Sequence, residues 1–269
     1  MKKFAVIGDP IKHSLSPIMH RWVFKQLNLN ATYEKINVEE NQLKKIISRI
    51  NNGNISGGNV TIPHKTSILP FLDEVNPRAE KIGAVNMVMK SKSKIIGNNT
   101  DWYGFSMAIN RNKIEFASRS IILLGFGGVA KSILFALKNF GVENIIILKR
   151  NLSEEIFIKG ISFVSLSRAD HVINNNSIII NTTPLGMNDN RSAIDKSLMN
   201  EKQILIDVIY NPLETKFIKL GKEKGAKTFN GLDMFIEQGL ASLDLWFGSS
   251  ISRKVNFTQL KSYLGSQLC

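Results

Sequence analysis

Apolar residues along this chain fall into short runs that alternate with stretches of helical spacing. Lys3 to Ile7 is the first run, and Gly8-Asp9-Pro10 ends it. Ser16 and Pro17 then form a helix start, with Ser at the N-cap and Pro at the first helical position, and the helix is expected to reach Leu27. Thr32 to Val38 alternates as a strand does, Asn41 to Ile50 carries apolar residues at helical spacing, and Gly57-Gly-Asn-Val-Thr61 reads as a strand end. This β-α-β-α-β series predicts parallel strands. Gly83 to Met89 suggests another strand, Lys90-Ser-Lys-Ser-Lys94 a polar hairpin turn, and Ile95-Ile96 a return to Gly97-Asn-Asn-Thr-Asp101. A helix is expected from Asp101 to about Asn110.

The second half opens on Ile121-Ile-Leu-Leu124, a buried strand, with glycines directly after it and an apolar helical pattern from Val129 to Phe140. Strands are expected at Asn144–Leu148, Ser162–Leu166, Ser177–Asn181 and Gln203–Ile209, with room for helices between them; Asp170 to Asn176 is too polar to assign. Helices at Leu213–Glu223 and Gly231–Phe247, a short strand at Lys227-Thr-Phe229 and an amphipathic helix at Thr258–Leu264 complete the chain. The class is therefore α/β. Two domains are expected, residues 1–101 plus 238–269 and residues 102–237, with a ligand-holding cleft between them. The second reads as a Rossmann-like doubly wound unit. Neither an internal repeat nor a low-complexity linker is visible.

Composition narrows the function classes. No apolar run approaches the roughly 20 residues of a membrane helix, so no membrane partner is expected. The Met1-Lys-Lys start resembles a signal peptide, but its apolar run stops at Gly8-Asp9, far too early for one. The only cysteine is Cys269, which sets aside disulfides, cysteine zinc sites and thiol catalysis and fits a reducing cytoplasm. The net charge is +13, yet lysine is spread along the whole chain rather than gathered with aromatics on one face. Nucleic acid is therefore not expected, while long-range steering of anionic substrates is. His13, His20, His64 and His171 share no ligand spacing, and no metal is expected.

Candidate chemistry lies at the predicted strand ends, where open α/β sheets place their ligands. Gly125, Gly127 and Ala130 satisfy G-x-G-x-x-G/A, a turn in which Gly125 permits the bend and Gly127 lets the backbone approach a pyrophosphate. Such turns also occur as plain structure, so the motif alone leaves the nucleotide open. The next strand ends in Lys149-Arg150-Asn151 with no carboxylate for a ribose hydroxyl; two cations suit the 2′-phosphate of NADP, the alternative being a solvated basic loop. Ser14 and Ser16, two residues apart at a helix N-terminus, could hold a small carboxylate, although a cap alone accounts for Ser16. Asn59 and Thr61 alternate onto one face, and Lys65 follows them beside Pro63 and His64. Asp101 reads as a helix cap that could still turn an oxygen toward a neighbour.

These stretches together resemble the shikimate dehydrogenase family from end to end. The resemblance is carried by Gly8-Asp-Pro-Ile-Lys-His-Ser-Leu-Ser-Pro17, Gly58-Asn-Val-Thr-Ile-Pro-His-Lys65, Gly83-Ala-Val-Asn86, Gly97-Asn-Asn-Thr-Asp101, Gly125-Phe-Gly-Gly128, Asn181-Thr-Thr-Pro-Leu-Gly-Met187, Asp207-Val-Ile-Tyr-Asn-Pro212, and Asn230-Gly-Leu-Asp-Met234 with Gln238. It implies an N-terminal substrate domain, an NADP-binding domain, and reversible NADPH-dependent reduction of 3-dehydroshikimate to shikimate on the way to aromatic amino acids. It implies Lys65 and Asp101 as the catalytic pair. Ser14 and Ser16, with Tyr210, would hold the substrate carboxylate, and Asn59, Thr61, Asn86 and Gln238 would meet ring hydroxyls. Gly125, Phe126, Gly127, Gly128, Val129, Lys149, Arg150, Asn151, Val208 and Gly231 would line the cofactor. Phe126 and Lys149 stand where the family usually has Ala and Asn, and Gly239 where Ala is commoner. A quinate/shikimate dehydrogenase using NAD, and a non-catalytic ligand sensor, are the alternatives. Whether the chain is a monomer or a homodimer is left open.

Overall fold

The computed structural model describes residues 1–268; Cys269 lies outside the described residues. The chain divides into two compact units, one of Met1–Gly104 with Ile236–Gln267 and one of Phe105–Phe235.

In the first unit the apolar runs become β1 (Lys2–Gly8), β2 (Ala31–Asn37) and β3 (Gly57–Val60), with α1 (Ser16–Gln26) and α2 (Leu43–Asn51) between them. β1 pairs in parallel with both β2 and β3, as the β-α-β-α-β reading requires. α2 buries Leu43, Ile46 and Ile50 against Ile7, Val38 and Val60, so its helical spacing is the spacing of its core contacts. α1 departs from expectation at its start. Its N-cap is Leu15, no side chain caps it, and Ser16 is its first residue, with Pro17 in the first turn, where a missing N–H leaves no bond unmade.

β4 (Glu74–Val75) and α3 (Pro77–Ile82) follow, both too short to show a period in the sequence. β5 (Met87–Ser91) and β6 (Lys94–Asn98) form the expected hairpin, but its turn is tighter than the polar run suggested. Lys90 and Ser91 pair with Ile95 and Lys94, so only Lys92 and Ser93 turn, and Lys92 takes φ +55°. The six strands lie in the order β2-β1-β3-β5-β6-β4, with β5 antiparallel to both neighbours.

α4 (Asp101–Arg111) begins in the first unit and continues in the second. There follow β7 (Ser120–Leu124), α5 (Gly128–Asn139), β8 (Ile145–Lys149), β9 (Ile156–Ile158), β10 (Ile161–Ser165), α6 (Ala169–Val172), β11 (Ser177–Asn181), β12 (Ile204–Asp207), α7 (Lys216–Glu223), β13 (Lys227–Phe229), α8 (Leu232–Phe247) and α9 (Phe257–Ser266). The second sheet runs β13-β12-β11-β7-β8-β10-β9. Every pair is parallel except β9 with β10. Without β9, that is the doubly wound Rossmann order, and its direction reverses between β7 and β11. Ile121 to Leu124 and Ile178 to Ile180 are buried throughout, which is why they read as unbroken apolar runs rather than alternating ones.

No helix fills the segment between β8 and β10. An edge strand occupies it, and Phe157 there is 71% exposed. α7 starts at Lys216 rather than Leu213 because the Thr215 hydroxyl accepts from Ile218 N and fixes the cap. Among the described residues no helix is long and apolar enough to cross a membrane.

Asp207 closes β12 and is fully buried. Its Oδ1 accepts from Asn181 Nδ2 at 3.1 Å and Ile209 N at 3.0 Å, and its Oδ2 from the Thr215 hydroxyl at 2.6 Å. Loss of water outweighs these three donors and pushes its pKa from 3.8 up to about 6. The folded state then holds a proton that the unfolded chain releases, so this group's stabilising contribution falls as pH rises from about 4 to about 6. In urea unfolding, wild type should lose about 3 kcal/mol relative to Asp207→Asn across that window. A pH-independent difference between the two would contradict the assignment.

Candidate active site

Three loops of the first unit converge on one ion pair. Lys65 follows the turn after β3, and its carbonyl accepts from Val85 N at 2.7 Å, which ties that turn to the approach to β5. Asp101 opens α4. The capping is done by Asn99, whose Oδ1 accepts from Asp101 N at 3.0 Å and from Trp102 N at 3.4 Å. The expected capping role of Asp101 is therefore corrected. With Asn99 on the helix end, the Asp101 carboxylate is available elsewhere.

Its Oδ2 lies 2.6 Å from Lys65 Nζ, the two side chains being 6% and 13% exposed. Its Oδ1 accepts from Asn86 Nδ2 at 2.8 Å. Asn86 is oriented in turn by Thr100, whose backbone N donates to Asn86 Oδ1 at 2.7 Å, and Asn86 Nδ2 lies 3.3 Å from Gln238 Oε1. Lys65, Asp101, Asn86 and Gln238 thus form one cluster. A nearly buried ammonium whose carboxylate partner is held from both oxygens can deliver a proton in a fixed direction.

Asn59 joins the cluster from beneath. Its Oδ1 accepts from Tyr33 OH at 2.7 Å, and its Nδ2 donates to Ser242 Oγ at 2.9 Å and Asn86 O at 3.4 Å. Both ends of the amide are therefore engaged by protein groups. Thr61 lies at the strand end, where its N donates to Ile7 O and its methyl crowds Gly8. Ser14 and Ser16 form their own pair: Ser14 Oγ accepts from Ser16 N and lies 3.2 Å from Ser16 Oγ.

Thr100, Ser242 and Tyr33 were not singled out from sequence. Thr100 lay within a cluster already marked. Ser242 stands four residues after Gln238, a spacing that puts both on one helix face, and that was the available signal. His20 also belongs below the site. It is buried, stacks on Tyr33 at 4.2 Å between centroids, and burial lowers its pKa to about 3, so it sits there as a neutral ring. At Gly239 an added methyl would meet Met19 at 2.7 Å, so Met19 occupies the space of the commoner Ala.

In the second unit the glycine turn fits a pyrophosphate. Gly125 has φ +89°, and a Cβ there would strike Thr183 at 2.8 Å, so the bend requires glycine. A Cβ on Gly127 would meet nothing within 4 Å, and α5 starts at Gly128 with no side chain capping it. The first N–H groups of α5, from Gly128 and Val129 on, are those a phosphate would use. Phe126 stands edge-on to Phe163 at 5.1 Å, and Lys149 Nζ lies over the same ring at 5.9 Å. Arg150 and Asn151 are exposed beside them. Gly231 packs on the Val208 carbonyl so closely that a Cβ would come within 2.1 Å of its oxygen. Tyr210 stacks on Phe235 at 4.1 Å within this unit. Among the described residues no group of three or more His, Cys, Asp or Glu is arranged to hold a metal.

Residues 6–88 match the family model described as the shikimate dehydrogenase substrate binding domain. The chain is 40% identical over 248 residues to a shikimate dehydrogenase (NADP(+)) of Staphylococcus haemolyticus, covering 91% of this chain and 92% of that one. Among solved structures it is similar to shikimate dehydrogenase 1 of Peptoclostridium difficile, with a TM-score of 0.91 and 30% identity over 100% and 99% of the two chains. It is also similar to a Thermus thermophilus shikimate 5-dehydrogenase in complex with NADP(H) and shikimate, with a TM-score of 0.81 and 30% identity over 95% and 100%.

Proposed function

The chain belongs to the shikimate dehydrogenase family, and we propose that it reversibly reduces 3-dehydroshikimate to shikimate with NADPH, using Lys65 and Asp101 at the reacting oxygen. The observation that carries this reading is the buried Lys65–Asp101 contact of 2.6 Å, braced by Asn86. NADPH, when bound, supplies the hydride that reaches the ketone carbon. Lys65 Nζ gives a proton to the ketone oxygen as it becomes a hydroxyl, and its charge stabilises the oxyanion while that forms. Asp101 Oδ2 aims the ammonium, and Asn86 keeps Oδ1 from swinging away.

The remaining roles follow the same chemistry. Ser14 and Ser16, with Tyr210, take the substrate carboxylate, and Thr61, Asn86 and Gln238 take ring hydroxyls. Neutral donors and acceptors suit a polyhydroxylated ring, and an analogue lacking a hydroxyl would leave one of them unpaired. Asn59, held by Tyr33 and Ser242, supports Asn86 and keeps a lone pair on Oδ1 for a ring hydroxyl. Gly125, Gly127 and Gly128 with the start of α5 would hold the pyrophosphate, and Phe126, Val129, Asn151, Val208 and Gly231 would line the rest of the cofactor. Lys149 and Arg150 would grip the 2′-phosphate, which favours NADP over a quinate-type enzyme using NAD. We also place the protein in the cytoplasm, in line with its single cysteine, and assign it no nucleic-acid partner.

Steady-state rates with shikimate and quinate, each with NADP and NAD, test the reading, and faster turnover with quinate and NAD would overturn it. Lys65→Ala should lower kcat by about 10²–10⁴-fold with NADP binding nearly intact. Near-normal turnover in that variant would remove Lys65 from the mechanism. Arg150→Ala should raise KM for NADP about tenfold or more while KM for shikimate stays close to wild type. Equal effects on both would argue against a 2′-phosphate contact.

A further inference from the structure

The Lys65–Asp101 pair is the visible end of a longer buried chain of hydrogen bonds. Tyr33 OH donates to Asn59 Oδ1 at 2.7 Å, and Asn59 Nδ2 donates to Ser242 Oγ at 2.9 Å. Ser242 Oγ lies 2.9 Å from the Gln238 carbonyl, one turn back in α8, and 3.1 Å from Thr100 Oγ1. Thr100 Oγ1 lies 3.0 Å from Asn86 Nδ2, which reaches Asp101 Oδ1. Tyr33 and Ser242 are fully buried, and Asn59, Asn86, Thr100 and Asp101 are each no more than 6% exposed.

Counting protons leaves one orientation for the Asn86 amide. A carbonyl only accepts, so the single hydroxyl proton of Ser242 goes to Gln238 O. Ser242 Oγ therefore accepts from Asn59 Nδ2. The Thr100 hydroxyl has one proton and two acceptors in reach, Ser242 Oγ at 3.1 Å and Asn86 Oδ1 at 3.2 Å. With either choice Thr100 N donates to Asn86 Oδ1, and the Asn86 N–H groups face Asp101 and Gln238. Reversing the Asn86 amide would set an oxygen against the Asp101 carboxylate. The Asn86 carbonyl faces Asn59 Nδ2 at 3.4 Å and only accepts, so the other end of the Asn59 amide is its oxygen, and Tyr33 OH holds it there.

We infer that Ser242 and Tyr33 are positioning residues: through Asn59 and Thr100 they lock the Asn86 amide in the orientation that holds Asp101 against Lys65. The inference rests on the proposed role of that pair. Removing Ser242 Oγ takes the acceptor from the buried Asn59 N–H and a partner from Thr100, and removing the Tyr33 hydroxyl takes the 2.7 Å donor from Asn59 Oδ1 and loosens the amide that bonds Asn86 O. Either change lets Asn86 turn and Asp101 shift, and a misplacement of about 1 Å at a reacting group costs up to about 10²-fold in rate.

The test uses Tyr33→Phe, Ser242→Ala and the double variant of the full chain. Each single variant should lower kcat about tenfold, leaving KM for NADP within about twofold of wild type. The double variant should be about as slow as the slower single, since both act on one amide. A packing role alone would lower Tm additively and spare kcat. In the ligand-free protein, the NMR signals of the Asn86 side-chain amide should move in both single variants. Unmoved Asn86 signals overturn the inference whatever the activity, as does a kcat within twofold of wild type in both. A wild-type protein without shikimate-dependent NADPH formation would instead sink the proposed function, and the amide signals would still decide the orientation. If Ser242→Ala fails to fold, Tyr33→Phe decides alone, since it keeps the ring stacked on His20.

Discussion

An ammonium and a carboxylate 2.6 Å apart, almost out of water, set the requirement that the rest of the first unit meets. Their mutual attraction does not by itself offset the loss of hydration, and such a pair persists only when the remaining lone pairs and protons are also engaged. The first unit answers with Asn86 on the second carboxylate oxygen, Asn99 on the helix end that Asp101 would otherwise cap, and Val85 N on the Lys65 carbonyl. Each is a short local device; Val85 and Asn86 share the loop before β5, and Asn99 lies in the loop before α4. The mixed sheet brings them together: β3 leads into the lysine turn, β5 starts beside Asn86, and β6 leads out to Asp101.

The second unit is organised by a backbone constraint instead. Gly125 takes a conformation that a side chain would contest, and Gly231 lies against Val208 with no room for one. Both glycines lie next to strand ends, Gly125 at the reversal of strand order, where a doubly wound sheet leaves a crevice. The unit therefore offers backbone N–H groups at one end of a rigid sheet, with Lys149 and Arg150 at the end of the neighbouring strand.

The architecture is legible in the sequence where periods are long. The parallel series of the first unit, the glycine turn, α5, α7 and α8 were all visible, because burial on one face or on all faces leaves a pattern. β4 and α3 leave no such pattern, being shorter than any period, and β9 is an exposed edge that imitates a buried run. At the candidate site residue type and company mark Lys65 and Asp101, while Asn86 comes from the family resemblance; the structure brings the three side chains together. The sequence does not tell that Asn99 and not Asp101 caps α4, since both are good caps and only geometry chooses. Nor does it mark Ser242 or Tyr33. A serine inside an apolar helix and a tyrosine in an alternating strand have ordinary local explanations, and their hydrogen bonds reach across the fold.

The neutral ring of His20 bears on the protein's tolerance of acid. Below about pH 6.5 the unfolded chain takes up a proton at this position that the folded first unit refuses down to about pH 3, so acidification draws that unit toward unfolding. Asp207 pulls the other way in the second unit between about pH 6 and pH 4, because there the folded form keeps a proton more tightly than the unfolded one. Mild acid therefore weakens one unit at a site where it supports the other. The two buried groups thus give stability pH slopes of opposite sign, the one that falls with acid lying in the unit that carries Lys65.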